Sequence, residues 1–228
     1  MDREEINEIQ TEEKEQTPKE KFISGLQETI ETVVFVLVMV IIIRFFIGEI
    51  RWIPSASMRP TLIEGDRIFV ERFSRFYAEP KRGDIMVFYP PEEEIKTDPV
   101  SIMARLTGFF CKDIAYIKRV VGVPGDKLEV KEFSNGTFKV YINDKPLNEP
   151  YIMSPDDYIP CSNEMFCGPM QIPDGNYFMM GDNRGNSQDS RFWGFLPKER
   201  FIGKAIFIFW PLHRLKTFHR PDYGNINN

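Results

Sequence analysis

The sequence is poor in the residue types that most often carry acid–base and metal chemistry. It contains 2 histidines, His213 and His219, both in the last sixteen residues, and 3 cysteines. These numbers argue against a histidine-rich metal site, a Ser-His-Asp triad and a zinc ribbon, because each needs His or Cys inside the fold. Acid–base chemistry is therefore expected to use Lys, Asp, Glu or Tyr. No metal or other cofactor is predicted.

The sequence also has little excess charge outside its N-terminal region. Of the 34 Asp/Glu and 29 Lys/Arg, residues 1–47 carry ten and five, which leaves 24 of each sign in residues 48–228. A net charge of -5 argues against nucleic-acid binding through a basic surface. With 228 residues, 42% of them hydrophobic, the chain can bury a proper core and is too apolar to be disordered.

Long hydrophobic runs are scarce, and the only one of note extends for eleven residues from Val33 to Ile43. Extended to Ile30–Ile50, it would make a helix about 31 Å long, enough to cross a bilayer core of about 30 Å. A buried core helix is the alternative, but the segment is apolar all round and no other helix could cover it. A cleaved signal peptide is disfavoured because the run lies behind an acidic segment. We predict an acidic tail over 1–25 and one transmembrane anchor over 26–50.

The chain beyond the anchor has the pattern of a β-domain. Gly-Asp dipeptides precede the β-rich stretches RIFVE, IMVFY and KLEVKE, and Asn135-Gly136 is a hairpin signal between VKEF and TFKVYI. Further strands are predicted over 115–123, 177–180 and 204–210. The predicted fold class is therefore mainly β, an irregular antiparallel domain preceded by a single N-terminal transmembrane helix.

The predicted β-domain covers 51–215 and is followed by a C-terminal tail over 216–228. It contains an insertion around 92–113, interpreted as a short helix or a membrane-facing loop. A loop around 154–172 carries Cys161 and Cys167. The two thiols are expected to form a disulfide if the domain lies outside the cytosol, and to be free if it lies inside. Cys111 is interpreted as a small buried hydrophobe.

Three polar clusters could carry chemistry, at 53–62, 116–122 and 181–191. Serines between prolines, as in the first cluster, are usually turn residues. In the second, a strand places Lys118 on the same face as Tyr116 and Val120. That lysine either extends its ammonium to solvent or is desolvated, which lowers its pKa and makes it a base. The third cluster alone is typical of a polar loop.

Together these clusters fall within a longer series of motifs. They are SASMRPTL (55–62), GDRIFV (65–70), RGDIMVF (82–88), KRVVGVPGD (118–126) and GDNRGNSQDSRFWG (181–194). In these five blocks, and in their order, the chain resembles the type I signal peptidases, which are membrane-bound Ser/Lys endopeptidases. The Cys-x5-Cys loop also resembles one found in Gram-negative members of that family.

The resemblance implies a role for each matching residue. Ser57 matches the nucleophile and Lys118 the general base, an arrangement suited to a fold without histidine. Ser187 matches the serine that hydrogen-bonds and orients the lysine, and Ser55 matches the oxyanion-hole residue that acts with the Ser57 backbone N–H. Asp189 and Arg191 match a supporting pair. The positions that match the substrate pockets are Ile53, Pro54, Met58, Leu62, Tyr116 and Ile117.

The resemblance also implies the reaction and its place. The expected substrates are signal peptides of exported pre-proteins, cleaved after small residues at Ala-x-Ala sites. The expected location is the plasma membrane, with the tail in the cytoplasm and the β-domain on the periplasmic or extracellular side. Charge counting leaves this orientation open. A Ser/Lys peptidase with other substrates and a non-enzymatic anchored β-domain are the alternatives.

One residue departs from the family pattern. Ala56 lies between the two serines, where the family most often has glycine. If that position needs a positive φ, the methyl group would shift the backbone at the oxyanion hole.

Overall fold

The computed structural model describes residues 17–107, 114–132, 137–154, 168–224 and 226. Two compact units are present, one ending at Ile41 and the other running from Ile42 to the C-terminus. The Asn135-Gly136 turn, Cys111, Cys161 and Cys167 lie outside the described residues, as do residues 1–16 of the predicted tail.

The first unit is a long apolar helix, α1, over Pro18–Ile42. It begins in a capping box, because the Thr17 backbone N–H donates to the Glu20 carboxylate at 2.7 Å and the Glu20 N–H donates to Thr17 Oγ1 at 3.4 Å. Proline at the first helical position suits this start. The helix therefore begins within the segment predicted as tail.

The helical segment continues as a π-helical turn over Ile43–Ile47, and Pro18–Ile47 is the one described helix that is long and apolar enough to cross a membrane. The most apolar part of this helix has no residue buried inside the protein, as a lipid-facing segment requires. Strand β1 then begins at Gly48, so the last residues of the predicted anchor belong to the sheet.

Within the described residues, the second unit contains two antiparallel sheets. The larger has eight strands in the order β1-β2-β11-β3-β4-β9-β10, with β12 paired to β11. The smaller has four, in the order β7-β6-β5-β8. The strands are β1 Gly48–Trp52, β2 Arg67–Glu71, β3 Ile85–Phe88, β4 Tyr116–Gly122, β5 Lys127–Glu132, β6 Phe138–Ile142, β7 Lys145–Pro146, β8 Met170–Gln171, β9 Asn176–Met180, β10 Leu196–Pro197, β11 Phe201–Trp210 and β12 Lys216–Thr217.

The predicted fold class is confirmed: the domain is mainly antiparallel β and follows one long apolar helix. Strands β2 and β5 coincide with the predicted RIFVE and KLEVKE stretches. Strand β5 pairs with β6 in the register Leu128↔Ile142, as the predicted hairpin requires. Strand β11 is three residues longer than predicted at its start. In the predicted insertion, helix α2 spans Pro99–Thr107.

Alternation of side chains along the strands places one set of them in the apolar core. In β2, Ile68 and Val70 are fully buried, whereas Arg67 is exposed. They belong to one apolar cluster that also contains Met58 and Ile117, which flank the two predicted catalytic residues. The core thus fixes the chain on both sides of the site.

Candidate active site

Ser57 and Lys118 meet in the structure although 61 positions separate them in the chain. Ser57 lies in a 3₁₀ turn over Ala56–Met58, and Lys118 lies in β4. The Lys118 Nζ donates to Ser57 Oγ at 2.9 Å and to the Ile117 carbonyl at 3.1 Å. Only 4% of the lysine and 8% of the serine is exposed to solvent. A hydroxyl and a buried amine in contact form the minimal pair for base-assisted nucleophilic attack.

The turn that carries Ser57 accommodates Ala56 without backbone strain. The Arg59 N–H donates to the Ala56 carbonyl at 3.1 Å, which closes a single 3₁₀ turn. Among the non-glycine residues that the structure describes, only Asn143 and Asp144 have a positive φ. Alanine in place of glycine therefore carries no conformational penalty here.

Burial gives Lys118 the properties of a base. Loss of solvent lowers the pKa of its ammonium from 10.5 to about 8, although Asp189 and Asp182 act in the opposite direction. Both carboxylates are already engaged by arginines, Asp189 by Arg191 and Asp182 by Arg119. A substantial fraction of the amine is therefore neutral at weakly alkaline pH.

Asp189 and Arg191 form a pair that exposes no surface. The Arg191 Nε and Nη2 donate to the two Asp189 carboxylate oxygens, each at 2.8 Å. Burial acts to raise the pKa of the Asp189 carboxyl, but the Arg191 guanidinium and the hydrogen bonds from Gly181 and Ser187 together outweigh it, and the pKa is lowered. The carboxylate also accepts the Gly181 N–H at 3.0 Å. The pair thus ties the short helix α3, Ser190–Trp193, to the chain leaving β9.

Ser187 and Ser55 lie close to the dyad in different ways. Ser187 is buried, and its Oγ makes no hydrogen bond to Lys118 Nζ in this structure. Instead, the lysine amine uses Ser57 and the carbonyl of Ile117. The Ser55 Oγ is 3.3 Å from Ser57 Oγ. Ser55 is exposed, so its hydroxyl is open to a substrate.

The predicted pocket residues lie in three different environments. Ile53, Met58, Leu62 and Ile117 belong to one apolar cluster. Met58 and Leu62 expose no surface, so they support the wall of the site from behind. Pro54 is exposed. Tyr116 packs against a different cluster, and its ring lies 5.4 Å from Lys118 Nζ.

Gly181 and Asn183, to which the sequence analysis assigned no role, hold the Ser57 turn in place. A Cβ on Gly181 would lie 2.4 Å from the Ser57 carbonyl oxygen and 2.3 Å from Ser187 Oγ, so only glycine allows this approach. The Asn183 N–H donates to the Ser57 carbonyl and its side-chain amide to the Ala56 carbonyl, both at 3.1 Å. Both residues lie in the GDNRGNSQDSRFWG block, and their place in that motif was the one signal in the sequence that they belong to the site.

A buried ion pair joins two of the sequence blocks beside the dyad. The Arg119 Nε and Nη2 donate to the Asp182 carboxylate at 2.8 and 2.6 Å, and the Thr61 hydroxyl donates to the same carboxylate at 2.5 Å. The guanidinium also lies over the Tyr151 ring, 3.9 Å from its centre. This pair connects β4 to the loop after β9.

No group of three or more His, Cys, Asp or Glu side chains that could hold a metal ion occurs within the described part of the chain. The groups gathered around Ser57 are instead a buried amine and paired ions. This arrangement can activate a hydroxyl by proton transfer.

The comparisons with known proteins agree on one family. Residues 26–210 match the family described as "Signal peptidase, peptidase S26". "Signal peptidase I" of Leptolyngbya laminosa is 41% identical over 198 residues, covering 87% of this chain and 86% of that one. "Probable signal peptidase I-1" of Synechocystis is 42% identical over 190 residues, covering 83% and 85%. "Thylakoidal processing peptidase 1, chloroplastic" of Arabidopsis thaliana is 34% identical over 191 residues, covering 84% and 50%. The chain belongs to the type I signal peptidases of the S26 family.

Proposed function

We propose that this protein is a membrane-anchored serine endopeptidase that removes signal peptides from exported pre-proteins, with Ser57 as nucleophile and Lys118 as general base. The observation that carries the proposal is the 2.9 Å contact between Ser57 Oγ and a lysine amine that is buried and has its pKa lowered to about 8. Family membership supports the substrate class.

The chemistry follows from this contact. When Lys118 is neutral, the Ser57 hydroxyl donates to the lone pair of Nζ, and the proton moves to the amine as Oγ attacks the scissile carbonyl carbon. The resulting ammonium then gives its proton to the leaving nitrogen as the C–N bond breaks. This leaves an acyl group on Ser57. A water molecule activated by the same amine hydrolyses that ester and restores both residues.

The oxyanion formed at each step needs hydrogen-bond donors. We assign Ser55 Oγ and the Ser57 backbone N–H to this role, since the two serine hydroxyls lie 3.3 Å apart on the open side of the turn. Ser187 is proposed to orient the lysine once a substrate excludes water, and Asp189 with Arg191 to hold the loop that carries it. Ile53, Pro54, Met58, Leu62, Tyr116 and Ile117 are proposed to shape pockets for small residues at an Ala-x-Ala site.

The place of the reaction is also a proposal. A helix of about 45 Å over Pro18–Ile47 anchors the chain. We propose that the N-terminal tail is cytoplasmic and that the catalytic domain faces the periplasm or exterior at the plasma membrane. Similarity to a thylakoidal peptidase extends the same arrangement to an internal membrane. A disulfide between Cys161 and Cys167 would be consistent with a catalytic domain outside the cytosol at either membrane.

The test is cleavage of a precursor with an Ala-x-Ala site by the full-length protein in detergent micelles. We expect Ser57→Ala to abolish cleavage, because the acyl acceptor is lost, and the control Ser24→Ala in α1 to cleave normally. N-terminal sequencing of the product should place the cut after the second alanine. Normal processing by Ser57→Ala would refute the assigned nucleophile. An active enzyme that ignores this precursor but cleaves other sequences would refute the substrate class alone.

A further inference from the structure

A small charged cavity lies apart from the catalytic dyad, at the start of β1. Its volume is about 190 Å³, below the roughly 300–1,000 Å³ of pockets for drug-sized ligands. A cavity of this size suits a single small group. It is lined by Arg44, Glu49, Ile50, Arg51, Arg72, Tyr89 and Arg105.

Three of the arginines share one buried carboxylate. The Glu49 side chain is 2% exposed; its Oε1 accepts from Arg51 Nε at 2.6 Å, and its Oε2 accepts from Arg44 Nη2 at 3.0 Å. Arg72 Nη1 approaches the same oxygen at 3.4 Å. Glu49 is fixed by the β1–β2 ladder, in which it pairs with Val70. The carboxylate therefore gathers guanidinium groups that would otherwise repel each other.

The arginines outnumber the acidic groups of the cavity. Arg44, Arg51 and Arg72 surround the single carboxylate of Glu49, an excess of two positive charges. The Nε atoms of Arg44 and Arg72 are buried and have no hydrogen-bond partner among the described residues. Buried N–H donors without an acceptor are costly, so the arrangement favours a further anionic acceptor.

The position along the chain indicates where that anion would come from. Arg44 is two residues beyond the end of α1, within the membrane-spanning segment Pro18–Ile47. Since β1 begins at Gly48, the cavity lies where the membrane-spanning segment gives way to the sheet, and a long arginine side chain there can extend to the headgroup layer. Ile50, which lines the cavity, is 62% exposed, and Phe46 and Ile47 in the segment after Arg44 are 46% and 55% exposed, as suits contact with lipid.

We propose that this cavity binds the phosphate of an anionic phospholipid headgroup. Recognition would rest on phosphate oxygens that accept hydrogen bonds from guanidinium groups. Arginine suits this role better than any other side chain, because its N–H donors form a rigid fork. A zwitterionic lipid presents the same phosphate together with a cationic ammonium group. The excess positive charge of the arginines repels that group, so the cavity selects lipids with a net negative headgroup.

The test measures which lipid the full-length protein retains, independently of its peptidase activity. The protein in neutral detergent is supplied with equal amounts of phosphatidylglycerol and phosphatidylcholine, and retained lipid is counted by native mass spectrometry. We expect at least about a tenfold preference for phosphatidylglycerol, in line with charge-assisted hydrogen bonds. The double variant Arg51→Gln/Arg72→Gln should lose it. Arg67→Gln, which removes an exposed arginine at the far end of the β1–β2 hairpin, should keep it.

A further variant separates ligand binding from a structural role. Glu49→Gln removes the competing carboxylate, so it should keep or increase retention of phosphatidylglycerol. If the double variant lost the preference only because Glu49 was left buried without its partners, the triple variant Glu49→Gln/Arg51→Gln/Arg72→Gln would regain it, and that result would overturn the proposal. Equal retention of the two lipids by the wild type would overturn it as well. A third arm supplies 10 mM inorganic phosphate alone. Binding of phosphate with no gain from the acyl chains would overturn the lipid assignment.

Discussion

Replacing Lys118 by methionine removes a buried amine without leaving a large void, because the two side chains are of similar length. Burying this amine destabilises the folded wild type. The pKa of Lys118 is about 8 in the folded protein, against 10.5 for a lysine exposed to water, as in the unfolded chain. Below pH 8 the lysine is charged in both states, and the folded protein bears the full cost of the buried charge. Above pH 10.5 the lysine is neutral in both states, and this cost disappears.

The size of the effect follows from the shift. A difference of about 2.5 pKa units corresponds to about 3 kcal/mol at pH values below 8. Lys118→Met is therefore expected to be more stable than the wild type by up to about 3 kcal/mol at pH 7. In a domain of this size that is about 6–12 °C in Tm. The advantage should decline between pH 8 and 10.5, because the unfolded wild type then holds more protons than the folded one.

The assay is thermal unfolding of both full-length proteins in the same detergent, followed by circular dichroism from pH 7 to 10.5. Comparing two proteins at each pH cancels every other titrating group that they share. As a control, Lys216→Met in the exposed strand β12 should change stability by less than about 0.5 kcal/mol throughout. A Lys118→Met advantage that stayed constant over this range would refute a desolvated lysine at the site.

Three further substitutions test the parts that hold the dyad. Gly181→Ala places a methyl group 2.4 Å from the Ser57 carbonyl oxygen, so kcat/KM for a precursor peptide should fall by about 10²-fold, and unchanged kinetics would contradict this contact. Asp189→Asn leaves the buried Arg191 without its anion and should cost about 3–5 kcal/mol in urea unfolding. Ala56→Gly should leave kcat/KM within about threefold and lower stability by up to about 1 kcal/mol, whereas a large gain in activity would show that the methyl group strains the turn.

Strands with a buried alternating face were predictable from the sequence. RIFVE became β2 within its predicted bounds because Ile68 and Val70 recur at the period of a strand and turn residues flank them. Strand β1 was not predicted, because Gly48–Trp52 follows the apolar run directly and its pairing with β2 is a tertiary contact. The sequence alone places Glu49 near the end of the predicted anchor. The three arginines that allow its burial are not visible as a group in the sequence.

The candidate site was likewise predictable only in part. Ser57 and Lys118 were predicted as a dyad from the motifs that they lie in, and β4 places Lys118 against the Ser57 turn. A hydrogen bond between Ser187 and Lys118 was expected, but in the structure the lysine amine contacts Ser57 Oγ and the Ile117 carbonyl instead. The pairing of Arg119 with Asp182 depends on two segments 63 positions apart. No local pattern specifies such a partner.

The most direct test of the mechanism is the pH dependence of kcat/KM for a precursor peptide, since this quantity reports the base of the free enzyme. With the pKa of Lys118 at about 8, kcat/KM should rise about fivefold from pH 7 to pH 8 and level off above pH 9. Stability at each pH is checked by circular dichroism, so that unfolding is not read as loss of the base. A profile that is flat from pH 6 to 9, or that rises only near pH 10.5, would contradict the role of Lys118 as a buried neutral base.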